Sequence, residues 1–442
     1  MTAREIALKT LAAYRKNRTR PDAALGNLVK KHNVPQRDAA LAAQITGGVI
    51  QNMALCDYYA ACYSSIELKK IEPQVLDIIR LSIYQIVSLT RIPHNAAVNE
   101  GVSLVKKHAN RAAAGFTNAI LRKVANAAAN GALPEITGCF PKRLSVKYSH
   151  PEWLVHELIE AVGAGNAEEL LKKHNETDVP LTAQINTLLT DTGAVIESLE
   201  ADGVRVSCPE WPGDCLELRG TGSVERLEAF RSGWIYIQDT AARLAVTAAG
   251  LKPHDVVIDA CAAPGGKAFA AAITMNDTGR IVCFDISEEK LRMVTDGAAR
   301  LGVKSISAAV RDAASPDPEF AGKADAVIAD VPCSGFGVIR KKPEIRYKPQ
   351  SEIAGLPDLQ KKMISSLSVY VKPGGTLLYS TCTIFKRENE DVVMWFLDTH
   401  GDFYADAFSL PGVGDAPDGM VALWPHIHGT DGFFICKMKR KT

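Results

Sequence analysis

No two cysteines in this 442-residue chain share the Cys-x-x-Cys spacing of a zinc site or a redox dithiol. The 10 cysteines lie scattered at 56, 62, 139, 208, 215, 261, 283, 333, 382 and 436. A chain this long needs no disulfide framework to hold its core. No metal is expected either, since His426 and His428 lack converging Cys or carboxylate neighbours in the sequence. Uninterrupted apolar runs fall short of the roughly 20 residues that span a bilayer. The opening stretch carries charge and has no apolar core, so it does not read as a secretory signal. These absences predict a soluble, cytoplasmic protein with reduced thiols and no membrane partner. Hydrophobic residues at 47% and charged residues at 23% are ordinary globular values, which exclude disordered and fibrous classes. The length predicts two or three domains.

Acidic residues are scarce in the first third. Residues 1–150 hold 9 Asp+Glu against 21 Lys+Arg, a balance of +12, while the remainder stands at −11, so the formal net charge of +1 conceals an asymmetry. Such a split predicts a basic module that meets a polyanion, joined to a module of ordinary charge.

Strand-like alternation is missing from residues 1–130. Ile6, Ala7, Leu11 and Tyr14 make one helical stripe, and Leu41, Ile45, Val49 and Met53 make another. The run 75–89 is apolar nearly all round, as a central bundle helix is, and Pro93 closes it. An all-helical bundle is predicted there. Residues 131–232 read as a small α/β domain, with a helix opened by Pro151 and short strands at 181–186, 204–206 and 216–218. From 233 to 442 the pattern alternates. Five β-rich runs, at 256–260, 280–286, 306–310, 326–330 and 376–380, are mostly separated by helical segments, which predicts a parallel, doubly wound α/β sheet. A late antiparallel strand at 432–438 should pair near 421–424. Ligands bind such sheets at the carboxyl ends of the strands.

The first of those ends reads Asp259-Ala-Cys261-Ala262-Ala263-Pro264-Gly265-Gly266-Lys267. It lacks the Gly-x-Gly-x-x-Gly of dinucleotide binders, and Ala268 after Lys267 rules out a phosphate loop. Asp285, Asp312 and Asp330 follow at successive strand ends. Four carboxylates around a small-residue loop suit a nucleoside with a cationic appendage, as in S-adenosyl-L-methionine.

Two cysteines sit at the same edge. Pro332-Cys333-Ser334-Gly335 follows the fourth strand, and Thr381-Cys382-Thr383 follows the fifth. Two thiols beside such a cofactor suit pyrimidine C5 alkylation. A thiolate adding to C6 makes C5 nucleophilic, a base later removes the C5 proton, and an acid near N3, where Asp330 is placed, supports the ring charge. The target base must leave its stack to reach the pocket.

These segments carry resemblances. Arg37-Asp38, Thr46-Gly47-Gly48-Val49, Ile92-Pro93 with Ala97-Val98-Asn99-Glu100, and Phe116-Thr117-Asn118 resemble the NusB family of RNA-binding helical domains. The 259–267 motif, Pro-Cys-Ser-Gly with Gly337-Val338-Ile339-Arg340, Thr-Cys-Thr and Asp431-Gly432-Phe433-Phe434 resemble the Nop2/Sun family of RNA cytosine-5 methyltransferases. An NusB-like domain ahead of such a module is similar to bacterial enzymes that methylate small-subunit ribosomal RNA. The resemblance implies a Rossmann-like class I methyltransferase sheet, with Cys382 as nucleophile and Cys333 assisting product release. It also implies that Cys261, Ala262, Ala263, Pro264, Gly265, Gly266, Lys267, Asp285, Asp312 and Asp330 hold the cofactor.

Asp-Val-Pro-Cys after the fourth strand argues against an amine N-methyltransferase, which carries Asn/Asp-Pro-Pro-aromatic there. Two alternatives stay open: a non-enzymatic ribosome assembly factor, and a cytosine-5 methyltransferase acting on tRNA. The basic run 340–348 reads as a phosphate clamp beside the target base, with Arg340, Lys341, Lys342 and Arg346 on ribosomal RNA, free or partly assembled. A monomer is expected.

Overall fold

In the computed structural model, which describes residues 1–209 and 213–442, Thr2 and Glu5 open the chain with a reciprocal cap. Thr2 Oγ1 accepts from the Glu5 amide, and the Thr2 amide donates to Glu5 Oε2 at 2.9 Å. Helix α1 (Ala3–Asn17) follows, then α2 (Pro21–Lys31), α3 (Gln36–Gln51), α4 (Met53–Tyr63), α5 (Pro73–Ser88), α6 (His94–His108), α7 (Ala113–Ala129), α8 (Phe140–Lys147) and α9 (Glu152–His174), which bends at Gly163. These helices belong to the first of two compact units, residues 1–177 together with 342–347.

Helix α5 is the hub of that unit, as its all-round apolar sequence predicts. Ile78, Ile79, Leu81 and Ile83 are fully buried. A Cβ on Gly48 would lie 1.9 Å from the Tyr84 ring, so glycine in the Thr46-Gly47-Gly48 motif lets α3 press against α5. The expected stripes of α1, α3, α6 and α7 meet in this core through Ala7, Leu11, Ile45, Val49, Val98, Val105, Ile120 and Val124. No single helix among the described residues is long and apolar enough to cross a membrane.

The second unit holds residues 178–341 and 348–442. It begins with β1 (Leu181–Ile185), α10 (Thr192–Ala201), β2 (Arg205–Ser207), β3 (Cys215–Arg219), α11 (Glu228–Arg231) and β4 (Ile235–Ile237), forming a sheet of order β2-β3-β1-β4. Of the stretch 131–232, helices α8 and α9 fall in the first unit and the strands in the second, with Arg346, Ser149 and Tyr148 tying the helical part to α3 and α4.

The large sheet follows: α12 (Thr240–Ala249), β5 (Val256–Asp259), α13 (Gly266–Thr274), β6 (Arg280–Asp285), α14 (Glu288–Arg300), β7 (Ile306–Val310), β8 (Ala324–Asp330), α15 (Gln350–Ile353), α16 (Leu356–Ser368), β9 (Val371–Thr381), α17 (Glu390–Thr399), β10 (Phe403–Ala405), β11 (Phe408–Leu410), β12 (Gly414–Ala416), β13 (Met420–Leu423), α18 (Pro425–His428) and β14 (Phe433–Arg440). Its order is β10-β14-β9-β8-β5-β6-β7, with β13 on β14. Strands β5 to β9 pair in parallel, while β14 is antiparallel to both β9 and β13, with Val421 opposite Ile435. One apolar core contains residues of α12, α13 and α14, and another contains residues of α16 and α17. Helices cover both faces, as an all-but-parallel sheet requires.

Candidate cofactor and catalytic site

The loop from β5 to α13 bends back on its own helix. Gly265 has φ 112°, and a Cβ there would meet the Phe269 ring at 2.4 Å, so only glycine fits this turn. The loop lines a cavity of about 150 Å³ with Ile237, Gln238, Ala242, Asp259, Cys261, Ala262, Ala263, Pro264, Gly266, Lys267 and Asp330. Lys267 Nζ lies 2.7 Å from Asp330 Oδ2 and over the Phe433 ring. Ser380 Oγ donates to Asp330 Oδ1 at 2.8 Å, which holds that carboxylate from the next strand.

Asp259 is 1% exposed, and its carboxyl group has no side-chain donor against it, only the backbone of Cys261. Burial, opposed by Lys267, pushes its pKa up to about 7. The buried Gln238 Oε1 is without a partner. A pocket lined by polar oxygens still awaiting donors fits a ligand with a cationic end, so these residues suit S-adenosylmethionine. Asp285 and Asp312 stand at and just beyond the next strand ends. Asp285 Oδ1 accepts from the Ser287 amide at 3.0 Å, and Asp312 Oδ1 from the Ala314 amide at 2.9 Å.

Beside this cavity the two turns expected to carry chemistry come together. Cys333 Sγ and Cys382 Sγ are 3.3 Å apart. The contact with Cys382, together with burial, raises the Cys333 pKa well above the ordinary thiol range. The Gly337 amide donates to Cys382 O at 3.0 Å, and a Cβ on Gly337 would strike Gly432 O at 1.8 Å. The two Gly-containing motifs thus pack backbone to backbone behind the thiols.

The family described as 16S rRNA methyltransferase RsmB/F matches residues 246–439, the NusB family matches 1–126, and the ferredoxin-like domain of RsmF/B-like methyltransferases matches 150–225. The Bacillus subtilis (strain 168) protein named "Probable ribosomal RNA small subunit methyltransferase B" is 32% identical over 451 residues, covering 100% of this chain and 99% of that one. The chain belongs to the RsmB/F family. The crystal structure of PH0851 superposes with a TM-score of 0.82 at 26% identity, covering 98% of this chain and 97% of its own. NSun6 from Pyrococcus horikoshii shares the fold, with a TM-score of 0.58 at 21% identity over 66% of this chain and 98% of its own.

In this RsmB/F chain the basic run 340–348 is not the exposed clamp its charge suggests. Arg340 is 9% exposed and pairs with Asp431. Lys341 Nζ is held by Asp239 and by Asp431 Oδ2. Arg346 is fully buried in the first unit, where its guanidinium donates to Gln51 O, Tyr148 O, His174 O and Asn175 Oδ1. Of the four expected RNA contacts only Lys342 is exposed. The physical reason is that buried carboxylates and carbonyls had already claimed the other three cations.

The sequence reading also passed over Gln238, Gln360, Glu388 and Asn389. Gln238 lines the cavity, and its backbone carbonyl accepts from Gln184 Nε2 at 3.1 Å. Glu388 and Asn389 are buried against the cysteine turns. Their signal was a Glu-Asn pair six residues past the Thr-Cys motif, inside a run that otherwise reads as a charged helix start.

Proposed function

We propose that this enzyme transfers a methyl group from S-adenosylmethionine to C5 of a cytosine in small-subunit ribosomal RNA. The observation that carries the reading is the pair of thiols in contact beside a cavity lined by Lys267, Asp330 and Asp259. Membership of a 16S rRNA methyltransferase family supports the substrate class.

S-adenosylmethionine supplies the methyl group. The 261–267 loop, Asp285, Asp312 and Asp330 would hold it, with Asp285 and Asp312 offering carboxylates to the nucleoside. Cys382 adds as thiolate to C6 of the unstacked cytosine, and the electron pair released into the ring makes C5 the nucleophile. Asp330, fixed by Lys267 and Ser380, supports N3 in its acid form, giving a proton to the negative charge that develops there while Lys267 balances the carboxylate left behind. Once C5 is methylated, Cys333 in its thiolate form takes the C5 proton, that C–H electron pair forms the C5=C6 bond, the C6–S bond breaks and Cys382 leaves as thiolate.

The test is methylation of small-subunit RNA and of tRNA by the purified protein, with bisulfite sequencing of both. One new 5-methylcytosine in the ribosomal RNA is the expected result. Methylation confined to tRNA, or none in either RNA, overturns the assignment.

A further inference from the structure

Two consecutive residues grip the two reactive turns from behind. Glu388 Oε2 accepts from the Ser334 amide at 2.8 Å and from Gln360 Nε2 at 3.0 Å, and the same Gln360 amide donates to Pro332 O at 3.0 Å. Pro332 and Ser334 flank Cys333, so Glu388 and Gln360 hold that cysteine from both sides. Asn389 does the same for the other turn. Its Oδ1 accepts from Thr381 Oγ1 at 2.6 Å and its Nδ2 donates to Thr383 O at 3.1 Å, the two residues that flank Cys382. Ser334 Oγ and Thr383 Oγ1, 2.7 Å apart, tie one turn to the other. Glu388 is fully buried and Asn389 is 2% exposed. Tyr379 OH donates to Glu388 O at 2.6 Å and fixes the backbone of the pair.

We propose that Glu388 and Asn389 are the positioning residues of the methyl transfer, Glu388 for Cys333 and Asn389 for Cys382. The assignment rests on the two-thiol reading above and adds to it a division of labour. Each brace touches one cysteine turn, so each should control one half of the reaction. Loosening Asn389 moves the attacking thiol and slows formation of the RNA adduct. Loosening Glu388 leaves attack intact and slows elimination, so the adduct accumulates. Glu388 also places a carboxyl group with one unpartnered oxygen behind Cys333, while Lys267 lies on the Cys382 side.

The experiment follows adduct formation and adduct decay separately, on denaturing gels, with full-length protein, S-adenosylmethionine and small-subunit RNA. Cys333→Ala in an otherwise native chain is the control for the two-thiol reading, and its failure to trap RNA sinks that reading before the braces are tested. Given a trapped control, Asn389→Ala combined with Cys333→Ala should form adduct about tenfold to a hundredfold more slowly than the control. Glu388→Ala with both cysteines present should form adduct at near the native rate and release it about tenfold or more slowly. Glu388→Gln, which keeps an acceptor for the Ser334 amide, should restore release. A readout without RNA guards against simple misfolding: iodoacetamide labelling resolved by mass spectrometry should change at Cys333 for Glu388→Ala and at Cys382 for Asn389→Ala. If both variants slow both steps alike, label both thiols alike, or change nothing, the positioning roles are wrong.

Discussion

Cys333 Sγ touches Cys382 Sγ at 3.3 Å across 49 residues of sequence. Strands β8 and β9 pair in parallel, with Asp330 opposite Ser380, so both strands deliver their following turns to one edge at one height. Contact between the thiols puts both side chains at one point of that edge.

From that geometry Cys382→Ala should abolish both methyl transfer and covalent attachment, because C6 then has no nucleophile. Cys333→Ala should attack and methylate once, then stall as a slow-migrating RNA complex on a denaturing gel. A band seen only with Cys382→Ala would reverse the two roles.

Asp285→Ala should weaken S-adenosylmethionine binding in a chain that still folds. Charge-assisted bonds to ribose hydroxyls are worth roughly 1.5 to 3 kcal/mol each, so the loss should exceed about tenfold in Kd. Calorimetric titration reads it directly, and unchanged affinity in a folded variant removes Asp285 from the site.

Arg346→Ala should act on stability rather than on RNA affinity. The substitution leaves Gln51 O and Asn175 Oδ1 short of a donor in the interior of the first unit, while Tyr148 O keeps Asn175 Nδ2 and His174 O keeps Gln51 Nε2. Stranded buried acceptors cost about 1 to 3 kcal/mol each, so a loss of about 2 kcal/mol or more is expected in urea unfolding. An unchanged unfolding midpoint with weaker low-salt RNA binding would return Arg346 to the phosphate-contact role.

Asp259 predicts a pH dependence of the cofactor-free protein. Its folded pKa of about 7 lies above the ordinary value near 4, so between those limits the folded state binds more protons than the unfolded state. Stability must therefore fall as pH rises from about 4 to about 7, by on the order of a few kcal/mol. Asp259→Asn cannot ionise and should lose that slope. Thermal melts of both proteins across the window give the comparison, and parallel pH profiles would mean that Asp259 is not the group responsible.

Particular residues show how far the sequence could be read. The 259–267 loop, Asp330, Cys333 and Cys382 were legible because strand periodicity places them at carboxyl ends of a parallel sheet, and local motifs carry that information. The helical bundle was legible for the same reason, since stripes such as Ile45–Val49 follow the helix period. Arg340, Lys341 and Arg346 misled because a run of cations looks the same whether water or buried acceptors receive it. Only the fold brings Asp239, Asp431 and the carbonyls of residues 51, 148 and 174 to those side chains.

The sequence by itself determined the helical bundle, the parallel pairing of β5 to β9 and the place of the motifs at their carboxyl ends, because those depend on short-range patterns of side chains. Tertiary structure alone decided which cations are spent on internal partners, and in which unit each part of 131–232 falls. It also decided that Glu388 and Asn389, polar residues in a charged run, stand behind the two thiols. Each of these depends on what a side chain meets across tens or hundreds of residues, and a hydrogen-bond partner that distant leaves no periodic trace in the chain.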